Sequence, residues 1–520
     1  MAPFMSRYAA NGMVCAVDQL AAQAGVAILR AGGTAADAAV ATSAVLAVTT
    51  QHMCGMGGDL LALVHSGDSE PATLNASGRS GSGADPDRLR AEGHTVMPAF
   101  GDIRAVPVPG CVDGWLALHE RFGRLPLADV LEPARSYAAD GFPASPILAV
   151  VASGVAGLPG GGDFAAATHA GAIVRRPGVA RSLEAIISDG RSGFYGGEFG
   201  KGLLDLGNGE YDAPDLEHVN ADWVTPIAVD AWDRRIWTVP PNSQGYLTLA
   251  GAWIAAGLRV PVDADDPAWA HLTVEAARFA AYDRLDVLHE DADGAALVAA
   301  DRLQVRRDAI SPDRAAVLGD SYRPGGTMFM CAVDRNRMGV SLIQSNAAGF
   351  GANIAEPTTG IFLQNRGIGF SLEPGHPAEY RPRRRPPHTL SPALVTKPSG
   401  ELDMVIGTMG GDTQPQILLQ LLARILADGE PLGDAIAAPR WALANTDGGG
   451  FDTWRARGQV QVQLEPGAPD AWAAGLRDRG HDVAPSLGGN YGHAHAIRVD
   501  RDHLEGASDP RALSGEAAAY

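Results

Sequence analysis

Apolar positions in the first third of the chain recur at helical spacing, and small residues fill most of them. Asp18 is a natural N-cap for a helix running through Arg30, and Gly32-Gly33 stops it. Thr34 followed by Asp37 predicts a capping box that opens a second helix, rich enough in alanine to approach its neighbours closely. Leu60-Leu-Ala-Leu-Val-His65 is a short continuous apolar run and reads as a buried strand. Helices follow from about Val112 and about Leu127, with Gly123 and Gly141 as stops. A strand over Arg235–Val239 leads through a Pro-rich turn, ending at Gly245, into an apolar helix. Glu275–Leu288 is predicted as a helix carrying Asp283-Arg284, and Asp291–Gly326, polar and alanine-rich, as a linker.

After Thr327 the period drops towards two. Thr327–Val333 and Gly339–Ser345 predict a β-hairpin around Asp334-Arg-Asn-Arg337. Met404–Gly407 reads as another strand, Gln416–Ala427 as a helix ended by Gly429, and Val460–Leu464 and Ala494–Val499 as strands. Helices flanking strand pairs suit an α/β protein built as a four-layer αββα sandwich. No internal repeat is present.

Composition narrows the function classes. The chain has 520 residues, 46% hydrophobic and 19% charged, enough for a substantial core. A net charge of −19 disfavours nucleic acid as a partner. The local exception is Arg381-Pro-Arg-Arg-Arg385, read as a solvated loop. The uncharged stretch Ser145–Gly162 is broken by prolines and glycines and cannot span a membrane. Met1–Gly12 lacks an apolar signal region, so a cytoplasmic protein is expected. Cys15, Cys54, Cys111 and Cys331 show no paired spacing and are expected as free thiols. His493-Ala-His495 lacks a third metal ligand, and Gly55-Met-Gly-Gly58 falls short of a dinucleotide fingerprint. Neither metal nor cofactor is expected.

The chemistry centres on Gly326-Thr327, where a loop containing Pro324 and two glycines runs directly into an apolar strand that starts with threonine. A threonine hydroxyl placed there can attack the peptide bond before it. The α-amine released by that cut can then serve as the hydroxyl's base, without a histidine. Gly410-Gly411 lies between a strand and a helix, where bare backbone N–H groups can face a developing oxyanion.

Short blocks in order along the chain resemble the gamma-glutamyltranspeptidase family. They include Met13–Asp18, Ala24–Gly33, Asp37–Ala41, Cys54–Gly58, Val108-Pro-Gly-Cys-Val-Asp-Gly114, Phe122–Pro126, Pro240-Pro-Asn-Ser-Gln-Gly245, Thr327–Asp334, Gly410-Gly411 and Gly506–Arg511. The resemblance implies the αββα fold directly. It implies a chain cut between Gly326 and Thr327 into a large subunit, 1–326, ending in the linker at about 291–326, and a small subunit, 327–520. The two would stay associated as one globular unit. It implies Thr327 as nucleophile, Ser345 as a hydroxyl assisting it, Gly410 and Gly411 as the oxyanion hole, and Arg79 as the ligand of a donor carboxylate.

The departures fall where the family reads the glutamyl amino group. Ala347 and Gly369 replace polar residues, Arg366 puts a cation where an ammonium would sit, His388-Thr389 replaces paired serines, and Met328 replaces a threonine. An ammonium there would be unpaired and repelled. The segment from Phe370 to Pro386 is short for a lid, predicting an open pocket rimmed by Arg383-Arg384-Arg385. The expected activity is acyl transfer from a γ-glutamyl or related acidic acyl amide to water or an amine. The alternatives are hydrolysis of a carbon–carbon bond next to a carbonyl in a natural-product pathway, or an uncut homologue that only binds.

Overall fold

The computed structural model describes residues 6–323, 325–446, 455, 457–485 and 491–520. Two seven-stranded sheets lie face to face. The first runs, edge to edge, through Glu516–Ala519, Met13–Ala16, Met328–Val333, Gly339–Ser345, Asp59–His65, Ala72–Ala76 and Asp222–Val224. The second runs through Arg7–Ala9, Leu504–Ser508, Ala494–Val499, Leu402–Thr408, Ala393–Thr396, Arg234–Thr238 and Ile227–Ala231. Residues on both sides of Gly326 therefore supply strands to each sheet.

Period-two alternation sorts the side chains into layers. In Met328–Val333, Met328, Met330 and Ala332 face the helices Gln19–Arg30 and Ala35–Thr49, whereas Phe329, Cys331 and Val333 enter the core between the sheets. The second sheet turns Met404 and Ile406 outward onto Tyr246–Ala256, Pro267–Ala281 and Gln414–Leu422. Its partner register shifts between Val395 and Thr396, so Leu402 and Val405 both face inward despite their odd spacing. The four layers are helix, sheet, sheet and helix, as the sequence pattern suits.

The caps form as read. Asp18 accepts from Leu20 N at 2.8 Å, and Thr34 with Asp37 completes a capping box. Ala35–Thr49 is buried on every side. Alanine and glycine make that possible: a Cβ at Gly25 would lie 2.3 Å from Thr42 Oγ1. Gly57 and Gly58 have a similar packing role, since a Cβ at either would meet a backbone oxygen at 2.2 Å.

Several expectations need correction. The helix placed at Glu275–Leu288 runs from Pro267 to Ala281, capped by Asp266, and Arg284–Val287 is a separate turn. Between them Asp283 is drawn towards Arg302 and Arg306. The predicted linker holds two helices, Gly294–Leu297 and Ala300–Asp308. Beyond them the chain is tied down: Ala315 N donates to Arg479 O at 2.7 Å, and Asp320 pairs with Arg278 at 2.9 Å. Val460–Leu464 joins a separate three-stranded sheet with Trp441–Asn445 and Val483–Pro485. The basic run is exposed over residues 381–383, as a solvated loop would be, but its arginines are paired and it turns inward at Arg385. Arg381 pairs with Glu379, Arg383 with Asp215, Arg384 with Asp291, and Arg385 with Asp222. Arg385 is buried, and the exposed Arg381 and Arg383 each have a carboxylate partner.

The four cysteines are free and buried. No helix among the described residues is long and apolar enough to cross a membrane. His495 lies between the sheets with its ring parallel to Phe329, and burial pushes its pKa down to about 3.

Candidate active site

One end of the sandwich gathers the polar residues. Met328 pairs with Gln344, so Thr327 falls opposite Ser345, and Ser345 in turn pairs with Asp59. Alternation sends this row inward, because Phe329, Ile343 and Leu61, two residues further along each strand, lie in the core between the sheets. From the facing sheet, His388 and Thr389 precede the strand Ala393–Thr396, and Gly410-Gly411 follows Leu402–Thr408.

The Thr327 hydroxyl lies against the carbonyl oxygen of Gly326 and 3.3 Å from Ser345 Oγ. Ser345 Oγ accepts the amide of Ala347 at 2.8 Å and donates to Gly326 O at 3.2 Å. Two hydroxyls thus converge on the carbonyl before Thr327. Thr327 and Ser345 are completely buried in the continuous chain, so the pocket expected to be open is occluded there. Ala347 adopts a φ of 76°, a left-handed conformation that costs alanine about 1 kcal/mol.

Gly410 and Gly411 also have positive φ, 137° and 61°. Gly410 O accepts from Gly325 N at 3.3 Å and Thr413 N at 3.1 Å, joining the glycine pair to the loop before Thr327. A Cβ at Gly411 would lie 2.4 Å from Gly325 N, so only glycine fits. Buried side chains hold this turn. Gln244 Nε2 donates to Gly411 O at 2.9 Å and to Thr389 O at 3.0 Å, while its Oε1 accepts from Arg284 at 3.1 Å. Arg284 pairs with Asp412 at 2.5 Å, and Asp412 accepts from Arg323 N at 2.8 Å.

Arg366, His388 and Thr389 meet at Asp59. Arg366 Nε donates to Asp59 Oδ2 at 2.9 Å and Nη1 to Thr389 Oγ1 at 2.9 Å. His388 Nε2 donates to the same Oδ2 at 2.8 Å, and its Nδ1 accepts from Leu390 N at 3.2 Å, which fixes the tautomer. Burial, helped by the Arg366 charge, pushes the His388 pKa down to about 4 despite Asp59, so the ring is neutral. Burial works to raise the Asp59 pKa, but Arg366 and His388 outweigh it and hold it below the usual carboxylate range. Gly369 ends the short 3-10 turn that carries Arg366.

Arg79 is brought into a different company. It pairs with Glu290 and, at 3.4 Å, with Asp222, so its guanidinium already has two carboxylates. The sequence reading missed Asp59, Gln244, Arg284 and Asp412. The available signal was a charge or amide beside glycine at an apolar boundary: Gly58-Asp59, Gln244-Gly245 and Gly411-Asp412.

A threonine heading a central strand, between two sheets flanked by helices, with a glycine turn beside it, defines an N-terminal nucleophile hydrolase. Comparison with known proteins makes this particular. The chain belongs to the gamma-glutamyltranspeptidase family, whose family model matches residues 21–520. It is 36% identical to the oxamate amidohydrolase proenzyme of Klebsiella pneumoniae, an alignment covering 99% of each chain. It is also 36% identical to the glutathione hydrolase-like YwrD proenzyme of Bacillus subtilis, covering 96% of this chain and 97% of that one. The crystal structure of cephalosporin acylase from Bacillus halodurans superposes with a TM-score of 0.90 at 32% identity, over 99% of this chain and 97% of that one. The protein is an enzyme of this family, of the amidohydrolase and acylase kind.

Proposed function

We propose that the chain cuts itself between Gly326 and Thr327, and that Thr327 then hydrolyses the amide of a small acidic acyl donor through an acyl ester. The observation that carries this reading is the convergence of the Thr327 and Ser345 hydroxyls on the Gly326 carbonyl. In maturation, Thr327 Oγ attacks that carbonyl carbon, its hydroxyl proton passes to the departing nitrogen, and the C–N bond breaks, giving an ester and a free α-amine. Water then releases Gly326 as a carboxylate. Ser345 donates to the carbonyl oxygen as negative charge builds on it. In turnover the α-amine takes the hydroxyl proton as Oγ attacks the donor amide, and returns it to the departing amine. Gly410 and Gly411 supply the backbone for the oxyanion, in a turn fixed by Gln244 and Asp412.

An acidic donor lacking an α-amino group is favoured by the charges present. Asp59 is already neutralised by Arg366, so it offers no free anion to an ammonium, and the Arg366 cation repels one. The likeness to an oxamate amidohydrolase supports the same choice, because oxamate carries a carboxylate and no ammonium. The two resulting pieces, 1–326 and 327–520, would remain one body because each sheet takes strands from both.

The test is a denaturing gel of purified protein with N-terminal sequencing of the smaller band, followed by hydrolysis of oxamate, succinamate, glutaramate and glutamine. A new N-terminus at Thr327 and turnover of the des-amino amides are expected. A single intact band that still hydrolyses them would refute the amine-base mechanism.

A further inference from the structure

We propose that Arg366 is a built-in substitute for a substrate cation, and that the Asp59–Arg366 pair is the element that excludes donors bearing an α-ammonium. This inference rests on the acyl-donor reading above and names the residues that set its substrate class.

Asp59 is the third member of the row Thr327–Ser345–Asp59, across three neighbouring strands in register. Successive strands are about 4.8 Å apart, so its carboxylate lies within about 10 Å of the nucleophile, the reach of a short acyl chain. It is completely buried. The neutral His388 gives it a hydrogen bond but no charge, which leaves Arg366 as its ion-pair partner. The pair is only half closed. Arg366 Nε reaches Asp59 Oδ2, whereas Arg366 Nη2 and Asp59 Oδ1 are both buried without a hydrogen-bond partner. A carboxylate on the donor can accept from Nη2. An ammonium would need Asp59 to itself and would be repelled by the guanidinium paired with it. The site therefore keeps an anion able to hold an ammonium and fills it internally.

The consequence is a switch of preference. Replacing Arg366 by glutamine removes the cation, puts an amide N–H where Nε now meets Asp59, and leaves an α-ammonium as the positive charge that could hold Asp59 ionised. The experiment measures kcat/KM for glutaryl and γ-glutamyl anilides with wild-type, Arg366→Gln and Arg366→Lys proteins, each checked for maturation on a gel. Wild-type protein should favour glutaryl. Arg366→Gln should move the ratio towards γ-glutamyl by at least ~10-fold, about 1.4 kcal/mol. Arg366→Lys, which retains the cation, should keep the wild-type ratio. An unchanged ratio in Arg366→Gln, or a reversed one in Arg366→Lys, overturns the proposal.

If Arg366→Gln is not recovered in mature form, inhibition of the wild type carries the test. Glutarate should bind at least ~10-fold tighter than glutamate, and equal binding overturns the proposal. Wild-type protein that neither matures nor hydrolyses any donor would instead refute the underlying acyl-donor reading.

Discussion

Substituting alanine for Gly411 tests how closely the glycine turn and the cleavage loop are built against each other. At φ 61° an alanine is strained by about 1–2 kcal/mol. The larger effect is steric. The new Cβ would lie 2.4 Å from Gly325 N and 2.8 Å from Gly325 Cα, both backbone atoms that cannot rotate away. Reaching an ordinary separation of about 3.5 Å requires the loop before Thr327 to retreat by roughly 1 Å. A displacement of that size between reacting groups costs on the order of 100-fold in rate, near 2.7 kcal/mol. Gly411→Ala should therefore mature about 100-fold more slowly while keeping the fold. The assay is the fraction of full-length chain against time on a denaturing gel, with circular dichroism to show that both proteins are folded. Maturation at the wild-type rate would mean that the glycine turn does not bear on the scissile bond.

Thr327→Ala should remain full length, whereas Thr327→Ser, which keeps a hydroxyl, should still be cut, and mass spectrometry of the two preparations decides. Ser345→Ala should slow maturation by at least ~10-fold, through loss of one donor to the Gly326 carbonyl, and Ser345→Thr should restore most of it. Gln244→Leu removes one of two donors from each of the buried carbonyls of Gly411 and Thr389, which keep Gln414 N and Ser391 Oγ. It should lower stability by about 1–3 kcal/mol, read from urea unfolding, and should reduce turnover as well. Acid should destabilise the fold. His52 and His388 are held at about 4 and His481 and His495 at about 3, in each case first by burial. The unfolded chain therefore binds more protons than the folded one below about 6.5. Stability is complete above that pH, falls as pH drops from 6.5 towards 4, and levels off near 3. A urea midpoint that stays flat between pH 7 and 4.5 would contradict the buried neutral state of these rings.

Local signals carried most of the architecture. Asp18, Thr34 and Asp37 announce their helices because a cap is a contact within three residues. Met328–Val333 and Gly339–Ser345 announce a hairpin because alternation and a short turn are both local. The meeting of Thr327 and Ser345 was implied by the family resemblance, and the hairpin register places them opposite each other. Partners far apart in sequence were not. Arg366 finds Asp59 across 307 positions, and Arg385 finds Asp222 across 163, so an arginine that reads as a free cation is in fact half of a pair. Ala300–Asp308 escaped because it buries only Leu303 and Arg306, which leaves no apolar stripe for periodicity to find.

The central position of Met328–Val333, bonded on one side to Met13–Ala16 and on the other to Gly339–Ser345, would give the proposed maturation a direction in time. Before the cut, folding is a search by one chain. After it, the same structure could be reached again only by two chains colliding and threading that strand back between its neighbours, at a rate that depends on their concentration. A chain cut there would keep the fold of its precursor without keeping the precursor's route to it. Its working life would then be governed by how slowly it unfolds, since each molecule that opens would have little means of return.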